Sequence, residues 1–299
     1  MKTPRAASRR FAAGCIVVAL LGWGAATGAQ PARRIVSLVP ALTEILFAIG
    51  AGPQVVAVSS YDEFPPEVQK LPRVGALLDP DTERILALRP DLVFVYGSQE
   101  VQQARFERAG IRTFVYRHGG VSTVLETIRD VGTATGHAGE AAAVAAAIRG
   151  RLDAVRARVQ GRPRPRVLLV FERQPGTLRE VYASGGAGFL HEMLEIAGGQ
   201  NVFADIPRES VQPSNETLLA RAPDVILEVR ASGLIDSGDA STERTVWSAL
   251  PGLPAVRNGN VHFMSGQHLV IPGPRLAQAT EDFARVLHPE AWTTGGGAR

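Results

Sequence analysis

Among 299 residues the sequence contains a single cysteine, Cys15. This cysteine lies in an apolar segment near the N-terminus, and the chain beyond it has no thiol. Disulfide bonds, cysteine-ligated metal sites and cysteine nucleophiles are therefore excluded from the rest of the protein. A protein without thiols is suited to an oxidising compartment.

The sequence also lacks the short motifs of common enzymes. We find no G-x-S-x-G, G-x-x-x-x-G-K-[ST] or H-E-x-x-H, and Gly185, Gly186 and Gly188 do not have the G-x-G-x-x-G spacing. The histidines are spread along the chain without a close pair at metal-ligand spacing: His118, His137, His191, His262, His268 and His288. We predict that the protein is not an enzyme and has no cofactor. A zinc or manganese binding protein and a periplasmic enzyme remain the weaker alternatives.

A strong excess of charge is missing once the N-terminal segment is set aside. The sequence pI is about 9.4, but the first 29 residues hold four basic residues and no acidic one. The remaining chain has 28 Lys and Arg against 29 Asp and Glu. This balance gives no electrostatic basis for binding DNA or RNA.

Long apolar runs are absent too, and the longest one lies in a segment typical of a secretory signal. Residues 2–10 are basic, residues 11–23 are apolar, and residues 27–29 are small. The apolar run is too short for the roughly 20 residues of a membrane span. We therefore predict cleavage after Ala29 and a periplasmic protein. A lipid anchor at Cys15 is not expected, because most of the apolar run follows this cysteine.

The rest of the chain alternates short apolar runs with helical patterns, which predicts an α/β fold. We expect two Rossmann-like lobes with parallel sheets, joined by one long rigid α-helix. The predicted boundaries are a signal peptide at 1–29, an N-terminal lobe at 30–136, a spacer helix at 137–160, a C-terminal lobe at 161–290 and a disordered tail at 291–299.

The spacer is predicted from composition. Alanine dominates its first half and arginine and leucine its second, and all three favour helices. Gly161 and Pro163 then end the helical pattern. A rigid link of this kind predicts little closure of the lobes on ligand binding. The alternative is a long surface helix of a single domain.

A repeat supports two related lobes. Residues 83–94 align with residues 216–227 at an offset of 133, with Glu, Leu, Ala, Pro and Asp in the same places. A looser match pairs residues 43–50 with the helix at 191–198. One period of this length indicates a duplicated lobe, because solenoid repeats span 20–50 residues.

Two facing α/β lobes form a cleft, because ligands bind beyond the carboxyl ends of parallel strands. The loops predicted to line it are rich in aromatic, glycine, proline and amide groups and poor in paired charges. They are residues 37–41, 59–64, 96–99, 182–186, 206–214 and 266–275. Such walls favour a large, flat and partly apolar ligand over a small ion.

The segments RIVSLVPALTEILFAIGAG, VVAVSSYDEFPPE and LPRVGALLDPDTERILALRPDLVF resemble the N-lobe of periplasmic binding proteins with a helical backbone. The segments ASGGAGFLHEMLEIAGGQNVFAD, NETLLARAPDVIL and LPAVRNGNVHFM resemble the C-lobe of the same family. These proteins serve ABC importers for cobalamin, haem and ferric siderophores. The resemblance covers about residues 33–288 and is greatest to the cobalamin-binding branch. It implies cobalamin or a related corrinoid as the ligand, with haem or a ferric siderophore as the alternative.

The resemblance also implies ligand-binding residues. Tyr61, Tyr96 and Tyr182 match cleft aromatics of the family, and Pro40 and Ala41 match a loop beneath the ring. Tryptophans of the cobalamin-binding relatives are replaced by Leu77 and Ser210, and a third falls at His268. These departures leave the ligand's identity open.

Polar candidates lie in the C-lobe loops. Gln267, Arg275 and Arg230 are placed to meet amide or propionate groups of a ligand. Arg275 falls in the first turn of a predicted helix, where a cation is unfavourable for the helix dipole, which indicates a role other than helix stability. A surface salt bridge is the alternative. His268 is a candidate axial ligand to cobalt or iron.

Two glutamates are candidates for contact with a partner. In the cobalamin-binding branch each lobe presents an exposed glutamate to arginines of the permease, and the matching residues here are Glu83 and Glu216. Both are predicted in first helical turns, where a carboxylate also stabilises the helix. Capping of these helices is the alternative role. The resemblance implies a monomer that docks on the membrane permease of an ABC importer.

Overall fold

The computed structural model describes residues 30–231, 243 and 245–293. The predicted signal peptide lies outside them. The N-lobe, residues 31–136, contains a sheet of four parallel strands in the order β2-β1-β3-β4. The strands are β1 (Ile35–Ser37), β2 (Val55–Val58), β3 (Leu92–Tyr96) and β4 (Arg112–Tyr116). Val36, Val93 and Val95 are fully buried on one face of this sheet, as expected for a parallel sheet covered on both sides.

Helices connect these strands and cover the sheet. They are α1 (Pro40–Ala48), α2 (Thr82–Ala87), α3 (Glu100–Arg108) and α4 (Val121–Thr135), with 3-10 turns at Gly52–Gln54 and Pro66–Lys70. Helix α1 begins directly at Pro40, whose fixed φ suits a first helical position. The carboxyl ends of the strands therefore lead into the loops predicted to face the cleft.

The C-lobe, residues 161–293, has a mixed sheet, so the prediction of a wholly parallel sheet is wrong in this lobe. Its order is β10-β9-β5-β6-β8, with β7 paired to β5. The strands are β5 (Arg166–Glu172), β6 (Tyr182–Ser184), β7 (Gln200–Asn201), β8 (Ser210–Val211), β9 (Val225–Arg230) and β10 (Val261–Ser265). Strand β6 runs antiparallel to β5 because a short connection without a crossover helix joins the two strands.

The remaining described helices are α5 (Ala138–Val159), α6 (Gly188–Ile196), α7 (Asn215–Arg221), α8 (Pro254–Arg257), α9 (Leu276–Leu287) and α10 (Glu290–Thr293). Further 3-10 turns lie at Trp247–Ala249 and Gln267–Leu269. Helix α10 corrects the prediction of disorder from residue 291. Trp292 on this helix lies 5.1 Å from the Arg285 guanidinium and 5.2 Å from that of Arg158. Residues 294–299 lie outside the described residues.

Helix α5 joins the lobes and packs on both of them. Its buried side chains recur every three or four residues along one stripe: Ala141, Ala145, Ile148, Leu152, Val155 and Val159. They belong to one continuous apolar core that includes Ile35 of the N-lobe and Phe283 of the C-lobe. Gly132 of α4 allows close approach, because a Cβ there would lie 2.3 Å from the Cβ of Ala141. Moving one lobe against the other would therefore expose apolar surface of α5.

The repeat in the sequence corresponds to equivalent local structure. Asp81 and Ser214 cap α2 and α7, accepting hydrogen bonds from the backbone N–H of Arg84 and Thr217 at 2.9 and 3.2 Å. Arg89 and Ala222, also 133 residues apart, both have a left-handed backbone with φ of 48° and 45°. Asp81 and Ser214 therefore hold the N-cap positions, while Glu83 and Glu216 lie in the first turns, where a carboxylate can still stabilise the helix end.

The repeated aspartates after each helix have a structural role. Asp91 accepts hydrogen bonds from the backbone N–H groups of Arg33 and Arg34, and Asp224 accepts one from that of Arg166. Each aspartate thereby fixes the start of a central strand, β1 or β5. No helix in the described part of the chain is long and apolar enough to cross a membrane.

Candidate functional site

A cavity of about 200 Å³ lies between the lobes. Its lining is mostly apolar and comes from the ends of strands and helices. The lining residues are His118, Phe171, Ala187, Gly188, Phe189, Leu190, Glu209, Ser210 and Val270. His118 belongs to the N-lobe and the others to the C-lobe. The cavity therefore occupies the position expected for a ligand of two facing α/β lobes.

The N-lobe wall is an aromatic cluster at the ends of β3 and β4. The ring of His118 lies 5.2 Å from that of Tyr96 and 5.3 Å from that of Tyr116. Across the lobe boundary the His118 ring is nearly parallel to that of Phe189, with centroids 6.4 Å apart. On the C-lobe side, Tyr182 packs against Phe171 at 6.5 Å. The walls therefore present ring faces and edges that can hold a flat ligand.

Glu209 is the one carboxylate among the lining residues within the described part of the chain. Loss of hydration lowers the pKa of His118 below 6.5, and the Glu209 carboxylate opposes this effect only in part. More than a third of the His118 surface is open to solvent, but the surrounding rings remove enough water to disfavour the imidazolium. Burial, with a smaller effect of Glu209, raises the pKa of Tyr96. These pKa shifts favour the neutral forms of the His118 imidazole and the Tyr96 phenol.

The glycines at the start of α6 allow two loops to pack closely at the cavity. A Cβ on Gly185 would lie 2.2 Å from the carbonyl oxygen of Arg208, and one on Gly186 would lie 2.1 Å from that of Ala204. Any side chain at these positions would push residues 204–209 outward. The glycines therefore set the position of Glu209 and Ser210 in the cavity wall.

One contact between the lobes is an ion pair. Arg275 of the C-lobe donates from Nε to Glu44 Oε2 at 2.9 Å and from Nη2 to Glu44 Oε1 at 2.5 Å. The guanidinium also lies 4.0 Å from the centre of the Phe64 ring. Burial raises the pKa of Glu44, while the hydrogen bonds and charge of Arg275 act in the opposite direction. Geometry favours the ionised pair, since both carboxylate oxygens accept from the guanidinium.

A second contact between the lobes caps a helix. Gly120 at the N-cap of α4 has no side chain to accept a hydrogen bond. Glu192 of the C-lobe supplies the acceptor, since its Oε2 lies 2.8 Å from the backbone nitrogen of Val121. A Cβ on Gly120 would lie 1.9 Å from Glu192 Oε1. Glycine at this position therefore lets a carboxylate of one lobe reach a helix end of the other.

Replacement of Glu192 by alanine should lower the free energy of unfolding by about 1 kcal/mol, as for the loss of a helix cap. The reason is that the Val121 N–H loses its acceptor at the boundary of the lobes. Urea unfolding measures the change. Glu126→Ala, at an exposed position of the same helix α4, should change the free energy by less than about 0.5 kcal/mol. Equal effects of the two variants would contradict a capping role for Glu192.

A buried carboxylate lies behind the loop that follows β2. Asp62 is 1% exposed, and its Oδ2 accepts from the backbone nitrogen and the hydroxyl of Ser59 at 2.8 and 2.5 Å. In the described part of the chain Oδ1 has no hydrogen-bond partner. Burial raises the pKa of Asp62 above 3.8, and the bonds from Ser59 offset this only partly.

This carboxylate should give the protein a measurable pH dependence. Because the pKa of Asp62 is higher in the folded state than its ordinary 3.8, the folded state binds more protons between these two values. The stabilisation is complete below the ordinary pKa and is lost as the pH rises through the raised one. Asp62→Asn should therefore flatten the fall in unfolding free energy between about pH 4 and neutrality. Unfolding in urea at several pH values, with Asp153→Asn at an exposed site as the control, tests this; an unchanged slope would contradict it.

Several predicted ligand residues lie near the cavity and others contact the opposite lobe. Ser210 lines the cavity, and Tyr96 and Tyr182 pack on rings that line it. Ala41 is 3% exposed, and its carbonyl oxygen faces Gly273 of the C-lobe. Arg275 in turn is paired with Glu44. These contacts correct the prediction that Ala41 and Arg275 bind the ligand. In this conformation Ala41 and Arg275 join the lobes and their side chains are not free for a ligand.

The other candidates lie around the loops. Tyr61 is 65% exposed, Pro40 begins α1, and Gln267 begins the 3-10 turn before Val270. His268, the predicted axial ligand, instead pairs through Nε2 with Asp282 Oδ2 at 3.0 Å. None of these four residues is among the described residues that line the cavity.

Arg230 is not available to a ligand, because it belongs to a buried charge cluster in the C-lobe. Glu228 is fully buried and accepts from Arg173 at 3.0 Å, from Arg230 at 2.9 Å and from the Trp247 indole at 2.9 Å. Arg173 also lies 2.5 Å from Glu243 Oε2. Sequence reasoning missed this cluster, since a glutamate within an apolar strand gives no sign of its partners.

Sequence reasoning also missed His118, Phe171 and Phe189 as lining residues, and it did not single out Glu209 within the predicted cleft loop 206–214. His118 lies two residues beyond the end of β4, so its position at a strand's carboxyl end was the available signal. The other three depend on the antiparallel strands and glycine turns of the C-lobe, which the pattern did not reveal. Among the described residues, no three His, Cys, Asp or Glu side chains form a group that could hold a metal ion.

The predicted docking glutamates are on the surface. Glu83 and Glu216 are exposed in the first turns of α2 and α7. Within the described residues neither carboxylate forms an ion pair or a hydrogen bond.

Comparison with known proteins agrees with this architecture. The chain is 34% identical to the vitamin B12-binding protein of Salmonella typhimurium over 206 residues, which cover 68% of this chain and 75% of that protein. The periplasmic vitamin B12 binding protein of Vibrio cholerae superposes with a TM-score of 0.72 at 27% identity, over 87% of this chain and 98% of that one. The periplasmic heme-binding protein of Roseiflexus sp. RS-1 gives 0.73 at 28%, over 87% and 99%.

These relatives are substrate-binding proteins and not enzymes. The family described as periplasmic binding protein matches residues 35–267. The match spans both lobes and the helix between them, and the fold, the position of the cavity and the relatives agree. This chain therefore belongs to the periplasmic binding protein family.

Proposed function

We propose that the protein captures cobalamin or a related corrinoid between its lobes and delivers it to the permease of an ABC importer. The observation that supports this proposal is the chemistry of the cavity: among the lining residues that the structure describes there are aromatic walls, one carboxylate and no lysine or arginine. Haem carries two carboxylates, and ferric siderophores are mostly anionic. Glu209 and a neutral His118 disfavour burying such anions, whereas the neutral amides of a corrin ring carry no such penalty.

The relatives support a ligand of the cobalamin or haem type but do not distinguish between the two. The Salmonella protein is named for vitamin B12, but the compared structures include a B12-binding and a heme-binding protein at 27% and 28% identity. A corrinoid is much larger than 200 Å³. The proposal therefore requires the cleft to widen or part of the ligand to extend into solvent.

Haem is the second candidate because of His118. An unprotonated imidazole is a common ligand of haem iron, and burial keeps the pKa of His118 low. His118 replaces His268 as the histidine placed to reach a metal in the cleft, since His268 pairs with Asp282.

The test is titration of residues 30–299 with cyanocobalamin, haemin and a ferric siderophore by calorimetry and visible spectroscopy. We expect one-to-one binding of cobalamin in preference to the other two. Preferential haem binding, with a spectrum altered by His118→Ala, would identify haem as the ligand, and the family assignment would still hold. Absence of binding to all three would overturn the proposed ligand class.

We further propose that residues 1–29 are a cleaved secretory signal, that the chain has an N-lobe and a C-lobe, each with its own sheet, joined by α5, and that the mature protein is monomeric. Glu83 and Glu216 are the proposed permease contacts, one from each lobe. Their exposure, their equivalent places in the repeat and their lack of partners in the described structure support this role.

A further inference from the structure

The repeat places one exposed leucine in each lobe, outside the clusters that form the apolar core. Leu86 and Leu219 lie 133 residues apart and are 40% and 42% exposed. The residues before them, Ile85 and Leu218, are fully buried and account for the packing of both helices. The core clusters therefore do not use these leucines, and Leu219 lies against a surface loop, since a Cβ on Gly252 would lie 2.9 Å from its Cδ2.

Each leucine lies beside a proposed docking glutamate. Glu83 and Leu86 are three residues apart on α2, and Glu216 and Leu219 have the same spacing on α7. Residues at this spacing lie on one face of a helix, about one turn apart. Each lobe thus presents a carboxylate and an apolar side chain together, and the pair occurs twice with nearly equal exposure.

We infer that Leu86 and Leu219 are apolar anchors of the permease-docking surface, each completing a two-point contact with the glutamate on its own helix. This inference rests on the proposed docking role of the glutamates. The occupant is a permease with approximate two-fold symmetry that presents, twice, a cationic side chain next to an apolar pocket. Two exposed carboxylates without ion-pair partners among the described residues are complementary to two cations, and two equivalent leucines are complementary to two equivalent apolar pockets.

The division of roles follows from physical chemistry. Exposed charges steer association and select a partner, but they are screened by water and salt. An apolar side chain buried in a pocket supplies binding free energy that salt does not screen. Salt should therefore weaken docking only in part, and the remaining affinity should depend on the leucines.

The test measures binding of ligand-loaded protein to the ABC permease of the same organism in lipid nanodiscs. Removing both leucines, with Leu86→Ala and Leu219→Ala, should weaken docking about 25-fold, or about fivefold per leucine. Replacing both with methionine should retain most of the affinity, because methionine preserves an apolar side chain of similar volume. Val101→Ala, at another exposed apolar position (67% exposed), is the matched control and should leave docking unchanged. Ligand affinity should be the same for all variants.

The Glu83→Ala, Glu216→Ala variant distinguishes the docking role of the glutamates from the anchoring role of the leucines. If the glutamate variant loses docking and the leucine variant retains wild-type affinity, the leucine inference is overturned while the docking role stands. If neither variant changes docking, both are overturned. If the leucine variant instead dissociates a dimer of the free protein, as measured by sedimentation, with docking unchanged, the surface belongs to a second copy and the inference fails.

Discussion

The Glu83→Ala, Glu216→Ala double variant should bind the permease at least about a hundredfold more weakly, with ligand affinity unchanged. Coupling energies of close charge pairs at interfaces begin at about 1.5 kcal/mol, and 1.4 kcal/mol corresponds to a factor of ten. Losing one such pair in each lobe accounts for the expected factor. Each single variant should lose about tenfold, because the two helices are separate and their contributions add.

The measurements are permease binding in nanodiscs and calorimetry of the free protein with cobalamin. Glu140→Ala is the matched control, since Glu140 is also an exposed carboxylate in a first helical turn, that of α5. It should dock as the wild type does. A double glutamate variant that retains full affinity would remove the docking role, whereas one that also loses cobalamin would indicate altered folding of the lobes.

Glu228→Ala should lower the free energy of unfolding by about 3–5 kcal/mol, as is typical when one partner of a buried ion pair is removed. Glu228 accepts hydrogen bonds from two guanidiniums and an indole N–H, and the side chains of Glu228 and Arg173 are fully buried. Without the carboxylate, Arg230 loses the anion it contacts at 2.5 Å and the Trp247 N–H loses its acceptor. Burying such groups without partners is costly.

Denaturant unfolding tests this prediction, with a shift in midpoint at constant slope indicating loss of stability. The control is Asp153→Ala, which removes the exposed pair of Asp153 and Arg156, both more than half exposed. Such surface pairs contribute about 0–1 kcal/mol. A cost for Glu228→Ala no greater than that of the control would show that the cluster adds nothing to stability.

The elements that the sequence predicted well depend on local patterns. Alanine composition and the stop at Gly161 predicted a helix at 137–160, and α5 spans Ala138–Val159. The repeat predicted equivalent helices at α2 and α7, and their caps at Asp81 and Ser214 are equivalent in space. Hydrophobic period, glycine stops and repeated residues act over a few turns of chain, so they can be interpreted without knowing which segments meet.

The candidate site depends on contacts between segments that are distant in sequence. His118 meets Phe189, Glu192 caps α4, and Arg275 pairs with Glu44 across 231 positions. None of these pairings has a local signature, because each side chain also suits an ordinary surface position. The sequence therefore predicted cleft loops and aromatic walls, but not which residues line the cavity and which join the lobes.

The sequence by itself determined the α/β class, the long helix between two related lobes and the paired glutamates, since these follow from composition, periodicity and internal repetition. Only the tertiary structure decided that the second sheet is mixed, that Arg230 and Arg275 are paired with carboxylates, and that His118 and Glu209 face one cavity. The physical reason is that burial and ion pairing depend on three-dimensional proximity. That proximity is set by the packing of the whole molecule and leaves no local pattern in the sequence.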